Sequence, residues 1–492
     1  MKVKHRILSL TLALCMAISS IAVLSACEVD EKESDTTGGS GTEDSTSVST
    51  EAMPEIEKKD YGDQFYLHVL PDVNPPKYYF AEESQGDILT DAIYTRQEKV
   101  RQHIGVEIVG VETGNFSQYL EPFKTAVKNK DGSVDTLISH VHTGIDGLIS
   151  ENYLTDFNKV PGIDLEADYW NQQFMEDISI ADRMYLGFSD FNILYTHVIT
   201  FNKTLLERYD DNFDESIYDM VNNYHWTLDK MLSTASIAYI DKTNDGKSQD
   251  DQFGISGYQH ISFIGFLHAS NINLVEMDKN GNYMVSVYND TNREKTASLI
   301  DKLDTMVAAD YSWFRDPHNG KDAVGMQTGR ALFNLSSTYG LPGLIEYDVS
   351  FGVLPYPMWD ENQKNVGYRS LQWGGYICIP SYTRNVEMVG ETLELLSFYS
   401  ADVTDVFYQK LLGKQVADSP DDKKMLDIVW DGVCSDFGQT YSSVVTNVSL
   451  LYLVPELTYE SSTQNIASFM ARVDRTANKL FKQFVNKVSK MK

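Results

Sequence analysis

An α/β architecture is expected for the body of this 492-residue chain. Strand-like and helix-like segments alternate through its first half, one long helical stripe closes it, and its length suits two domains. Residues 65–70 form an apolar run of strand length, ended by the loop Pro71-Asp72-Val73-Asn74-Pro75-Pro76. Residues 91–103 have helical spacing and residues 106–111 alternate with period two, so the opening reads strand, helix, strand. A helix over 116–129 then precedes a short strand over 135–139. In open α/β sheets ligands sit beyond the carboxyl ends of the strands, which places the loop His140-Val141-His142-Thr143-Gly144 at a binding cleft. Residues 195–202 supply a further strand, and Thr227 is suited to cap the helix that follows Trp226. From 466 to 488 the apolar residues recur at helical spacing, a stripe that belongs to the core.

Ahead of the body, Lys2, Lys4 and Arg6 precede an apolar run over 7–23, and Leu24-Ser25-Ala26 leads into Cys27. A positive start, an apolar middle and small residues before a cleavage point make an export leader. The cysteine that follows resembles a bacterial lipobox, which implies that residues 1–26 are a lipoprotein signal peptide and that Cys27 carries palmitate-type acyl chains. Two or more chains give stable membrane anchoring. The alternative is an uncleaved anchor, although the apolar run falls short of the ~20 residues a span needs. Residues 27–60 read as a disordered tether, because the acidic start and the Ser/Thr/Gly-rich run over 34–50 bury too little apolar surface to offset their ordering entropy. The expected location is the extracellular face of a cell membrane, lipid-anchored, in a Gram-positive cell.

The chain carries a net charge of −30, and loss of the leader's three cations would make it more negative still. Such a surface repels phosphate backbones, so nucleic acid is not an expected partner. Beyond the leader and Cys27 only Cys378 and Cys434 remain. They form either one disulfide or two buried free thiols; spacing does not decide between these, and free thiols are the preferred reading.

Three stretches together resemble the extracellular solute-binding proteins of carbohydrate ABC transporters, the family that includes maltose-binding proteins. The first runs from Glu82-Glu83-Ser84-Gln85-Gly86-Asp87 through Ala92-Ile93-Tyr94 to Gly105-Val106. The second is Phe201-Asn202-Lys203-Thr204-Leu205-Leu206 followed by Trp226-Thr227-Leu228-Asp229-Lys230. The third is Gly329-Arg330-Ala331-Leu332-Phe333, then Phe351-Gly352-Val353-Leu354-Pro355-Tyr356-Pro357, then Trp373-Gly374-Gly375-Tyr376. The resemblance implies a two-lobed periplasmic-binding-protein-like fold of type II, with a hinge-closing cleft between the lobes. Lobe one is expected at 61–189 with 367–411, and lobe two at 190–366 with 412–492. It also implies capture of a sugar or oligosaccharide and its delivery to the permease subunits of an ABC importer. The chain departs from the family at Leu335-Ser336-Ser337-Thr338-Tyr339, where a tyrosine replaces the tryptophan of a "GSW"-like motif, so the particular sugar stays open.

A sugar presents apolar C–H faces and a ring of hydroxyls, so its site needs aromatic planes and side-chain amides or carboxylates. By family position the resemblance assigns contacts to His140 and His142, to Asp190 and Asn192 at the first crossing between lobes, and to Tyr258, Gln259, Tyr339 and Trp373. Each has an ordinary structural or surface role as its alternative. Trp170, Trp313, Trp359 and Trp430 are expected to pack. His140-x-His142 also reads as half a metal site, but no third ligand has diagnostic spacing. The run from Asp241 to Gln252 resembles an EF-hand-type loop, with Asp241, Thr243 and Asp245 at positions one, three and five and Gly246 at six. Lys247, Gln249 and Asp250 complete the candidate set for a structural calcium, while Gln252 stands where a bidentate glutamate belongs, so a solvated Asn/Asp/Gly turn is the alternative. No other cofactor is expected. The chain has no nucleophile elbow, phosphate loop or paired metal motif, so a binding protein is expected rather than an enzyme. A surface glycan-adhesion lipoprotein or a carbohydrate-active enzyme is the alternative.

Overall fold

In the computed structural model the described residues are 52–491, apart from 72–73, 115–118, 193–194, 210–211, 317–318, 322–323, 413–418, 446–449 and 461. The leader, Cys27 and the Ser/Thr/Gly-rich run lie outside them. The first sheet comprises β1 (Asp63–Val69), β2 (Val106–Glu112), β3 (Thr136–His140) and β12 (Gly374–Cys378), in the order β12-β3-β1-β2. β1 runs parallel to β2 and β3, and β12 joins antiparallel to β3. The helix Ile88–Ile104 connects β1 to β2. Asp87 caps it by accepting the Thr90 N–H at 3.1 Å, and Gly105 ends it with φ 67°, a left-handed conformation that glycine adopts without strain. Arg96 of this helix is buried; it donates to the Tyr79 carbonyl at 2.8 Å and to Ser400 Oγ at 2.9 Å, while its guanidinium lies 4.6 Å over the Phe191 ring.

The second sheet holds β4 (His197–Asn202), β5 (Phe253–Tyr258), β8 (Ser312–Arg315), β9 (Ala331–Ser337) and β10 (Phe351–Leu354), in the order β10-β4-β9-β5-β8. β5 is parallel to β8 and β9, whereas β4 is antiparallel to both β9 and β10. Every residue of β4 is buried, as its unbroken apolar and small-polar run requires. Trp226 is fully buried with its indole N–H donated to the Pro355 carbonyl at 2.9 Å, and Thr227 caps Leu228–Ser236. A small hairpin pairs β6 (Val275–Met277) with β7 (Tyr283–Val285). Finally, β11 (Ser370–Leu371) pairs parallel with β13 (Val433–Cys434).

Several boundaries differ from the sequence expectation. The strand expected from 195 begins at His197, because Tyr195 and Thr196 belong to the passage between the sheets. The helix expected from 116 begins at Leu120, with 115–118 outside the described residues. Residues 54–60, expected as tether, lie on the body: the N–H groups of Lys59 and Tyr61 donate to the His103 and Ile104 carbonyls at 3.1 and 2.8 Å. Lys59 Nζ reaches the mostly buried Glu391 at 2.7 Å, and Ile56 packs on the core. The C-terminal helix Ile466–Ser489 is capped by Asn465 and buries the expected stripe, Phe469, Val473, Phe481 and Phe484 among it. Cys378 and Cys434 are both free and buried. Among the described residues no helix is long and apolar enough to cross a membrane.

Candidate ligand-binding cleft at the crossing segments

Among the described residues three stretches of chain pass between the two sheets and are bonded to one another. The first leads through Ser189 and Asn192 to Thr196, the second through Leu371 to Gly375, and the third follows β13. Trp373 N–H donates to the Tyr195 carbonyl at 2.8 Å, and Thr196 Oγ1 donates to the Leu371 carbonyl at 2.6 Å. The Gln372 amide accepts the Tyr195 N–H at 3.2 Å and donates to the Gly374 carbonyl at 2.6 Å. Asn192 accepts the Ser189 N–H at 2.8 Å and donates its side-chain amide to the Gly375 carbonyl. Gly375 has φ 84°, and a Cβ there would stand 2.9 Å from the Tyr79 hydroxyl, so both conformation and space call for glycine. The third segment is tied in by Gln372 N–H to the Cys434 carbonyl, 3.1 Å, and by Asp436, which accepts the Gln439 and Leu274 N–H groups at 2.8 and 2.6 Å.

Aromatic side chains gather over these crossings. Trp373 is only 2% exposed and clusters with Ile264, Leu371 and Leu451, with Tyr195, Ile261 and Tyr452 packed against them. The imidazoles of His140 and His197 meet its ring edge-on, at 6.4 and 5.6 Å. Tyr339, just past the end of β9, lies edge-on to Tyr195 at 3.9 Å and 5.8 Å from Tyr78. Tyr78 sits in the loop that follows β1 and in turn contacts Phe407 at 5.5 Å. Rings from the carboxyl ends of strands in both sheets thus meet. The Tyr339 hydroxyl is buried and makes no hydrogen bond among the described residues, and burial pushes this phenol well above the usual tyrosine range.

Of the residues selected from sequence, His140, Trp373 and Tyr339 come together around Tyr195. Asn192 is fully buried and holds the crossing backbone. Asp190 is half-buried, its N–H donated to the Tyr169 carbonyl at 2.9 Å. Gln259 is fully buried and donates its amide to the carbonyl and hydroxyl of Thr458 at 2.8 and 3.1 Å. Tyr258, beside it, is 38% exposed with the Arg315 guanidinium 5.7 Å above its ring. His142 belongs to the short 3-10 turn Val141–Thr143, and its side chain lies outside the described ones. Trp170 is buried and donates its indole N–H to Glu394 at 2.8 Å; Trp359 and Trp430 pack against the core, and Trp313 lies 5.2 Å from Phe253. Sequence reasoning missed Tyr78, Tyr195, His197 and Tyr452. Tyr78 was the accessible one, since it follows the first strand at its carboxyl end.

In the loop from Asp241, that residue's carboxylate accepts the N–H groups of Thr243, Asn244 and Gly246 at 3.2, 2.7 and 3.1 Å. Asn244 and Gly246 both have positive φ, as a tight turn of this kind needs. Asp245 accepts the Thr243 hydroxyl, Lys247 donates to the Ala309 carbonyl at 2.7 Å, and Asp250 pairs with Arg330 at 3.0 Å. Gln249 is exposed, while the buried Asp251 accepts the Lys242 and Ser248 N–H groups at 3.0 and 2.9 Å. Among the described residues no group of three or more His, Cys, Asp or Glu is arranged to hold a metal.

Two α/β sheets, bonded crossings between them and aromatic rings that meet over the crossings define a two-lobed ligand-binding protein. The chain belongs to the family of bacterial extracellular solute-binding proteins, which it matches over residues 95–405. Its architecture is similar to that of the GacH receptor of Streptomyces glaucescens GLA.O, solved unliganded and with acarbose: TM-score 0.51 and 14% identity, covering 87% of this chain and 99% of that one. It is similar also to the galacto-N-biose/lacto-N-biose I-binding protein of an ABC transporter from Bifidobacterium longum, in complex with lacto-N-biose. There the TM-score is 0.53 at 14% identity, with 86% and 97% of the two chains covered. The maltose-binding periplasmic protein MalE from Listeria monocytogenes, in complex with maltose, gives 0.52 at 14%, with 88% and 99% covered. No curated protein matches the chain.

Proposed function

We propose that this protein captures a sugar or oligosaccharide between its lobes and delivers it to the permease subunits of an ABC importer. The observation that carries this reading is the meeting of Tyr78 and Tyr339, rings from opposite sheets, above hydrogen-bonded crossings. Aromatic planes suit the apolar faces of a sugar, and the buried Tyr339 hydroxyl, without a partner among the described residues, would bond one of its hydroxyls. The sugar complexes of structurally similar proteins support the same ligand class. Lobe one takes residues 61–189 with 367–411, and lobe two 190–366 with 412–492. In this reading His140, Tyr339 and Trp373, which gather around Tyr195, line the inner wall with Asp190 and Tyr258 beside them, while the buried amides of Asn192 and Gln259 hold its frame. A ligand that touches both lobes favours the closed arrangement by its differential affinity for it, and no chemical change in the sugar is required. Once the leader is removed, Cys27 holds the protein on the outer face of the membrane by its acyl chains.

Calorimetry and small-angle scattering with a panel of mono- and oligosaccharides test the reading. One-to-one binding with compaction and unaltered sugar is expected. Binding of none, or turnover of any, overturns it, and retention on insoluble polymer alone would favour glycan adhesion. For the anchor, radioactive fatty acid should label the wild type and not Cys27→Ser; undiminished labelling of the variant rules out acylation at that residue.

A further inference from the structure

We infer that the ligand of this cleft is an oligosaccharide, and that a cavity beside Tyr452 is the subsite holding its outer end. The inference rests on the sugar-binding reading above. The cavity, of about 340 Å³, is lined by His260, Tyr452, Glu456, Tyr459 and the segment Ser462-Thr463-Gln464. Its size lies at the small end of the ~300–1,000 Å³ typical of small-molecule sites, enough for one sugar unit rather than a whole chain.

The lining combines the two kinds of group that a sugar needs. The His260 imidazole stacks on Tyr452 at 4.6 Å and 21°, and Tyr459 is nearly parallel to the same imidazole at 6.5 Å and 9°. Three ring planes of one orientation offer a platform for C–H faces. Glu456, Ser462, Thr463 and Gln464 supply a carboxylate, two hydroxyls and an amide at its margin, matching alternating hydroxyl donors and acceptors. An organic cation is a poorer match, because the Arg315 guanidinium over the neighbouring Tyr258 and the Lys321–Glu460 pair offset the local carboxylate charge.

Two further contacts relate this cavity to the inner wall. Tyr452 packs on the cluster of Trp373, Ile264, Leu371 and Leu451, so one tyrosine borders both places. Gln259, at the start of the helix Gln259–Ala269, donates its buried amide to the Thr458 carbonyl at the end of the helix Leu453–Thr458. That bond sets His260 against the short helix whose flanks carry Tyr452 and Tyr459. Gln259 therefore acts as a positioning residue for the platform.

The test is calorimetry on the mature chain against glucan, xylan, mannan and galactan series of one to six units. For the series that binds, affinity should rise at least tenfold between two and four units. In His260→Ala and Glu456→Gln that gain should vanish, while the affinity for the shortest bound sugar stays within twofold. Melting temperatures check that each variant folds, and Glu456→Gln, at a half-buried margin, carries the test if His260→Ala does not. Affinity that is flat with length, or a length gain untouched by a folded variant, overturns the subsite. Failure of the wild type to bind any member of any series instead overturns the sugar-binding reading, and this inference with it.

Discussion

The side-chain amide of Asn192 donates to the carbonyl of Gly375, joining the first passage between the sheets to the second. Both residues are buried, and Gly375 holds a left-handed φ of 84° that the bond helps to fix.

Removing that amide should loosen the crossings. Asn192→Ala leaves the Gly375 carbonyl and the Ser189 N–H without their partner, at a cost of ~1–3 kcal/mol for each buried group. Gly375→Ala adds backbone strain of ~1 kcal/mol or more and a clash with the Tyr79 hydroxyl. Urea denaturation should show lowered midpoints for both variants, and a wild-type midpoint in Asn192→Ala would mean that the pair contributes nothing.

Tyr339→Phe separates stacking from hydrogen bonding. The hydroxyl has no partner among the described residues, so its deletion should leave the melting temperature unchanged or slightly raised. Affinity for the bound sugar should nevertheless fall by about tenfold, the ~1.4 kcal/mol of one hydrogen bond to a ligand. Tyr339→Ala, which also loses the contacts with Tyr195 and Tyr78, should fall further. Equal affinities in wild type and Tyr339→Phe would remove the hydroxyl from the site.

His197 makes stability depend on acid. Burial, with the like charge of His268 nearby, pushes it down to about 4, whereas an unfolded histidine titrates near 6.5. Since the folded value is the lower one, the unfolded chain binds the proton first. Above pH 6.5 the residue contributes no pH dependence, and as pH falls from 6.5 toward 4 stability drops by up to ~3 kcal/mol. The expected result is a wild-type unfolding free energy that falls across this window more steeply than that of His197→Gln. Parallel pH profiles for the two proteins would show that His197 is not buried neutral.

For the loop from Asp241, we propose a structural calcium. The carboxylates of Asp241 and Asp245 and the Thr243 hydroxyl stand on one tight turn, with the glycine at the sixth position. A chelator should lower the melting temperature and added calcium restore it, by an amount equivalent to ~2.7 kcal/mol at one hundred times the dissociation constant. Asp245→Ala should abolish the response. A wild type indifferent to both chelator and calcium would leave a turn held by the Asp241 amide bonds alone.

The alternation of strand and helix, the cap at Thr227 and the C-terminal stripe were legible because each depends on residues a few positions apart. For the same reason the sequence pointed to His140, which ends a strand, and to Trp373 beside two glycines. What could not be read were the pairings over long separations. Nothing local announces that Asn192 will face Gly375, that Gln259 will clamp Thr458, or that Tyr78 and Tyr339 will meet across two sheets. Those contacts exist only once strands from distant parts of the chain lie side by side, since burial turns each unpaired amide or carbonyl into a cost that a partner must offset. Local pattern thus set the elements and their order, while packing settled which aromatic rings meet over the crossings and which amides bind those crossings together.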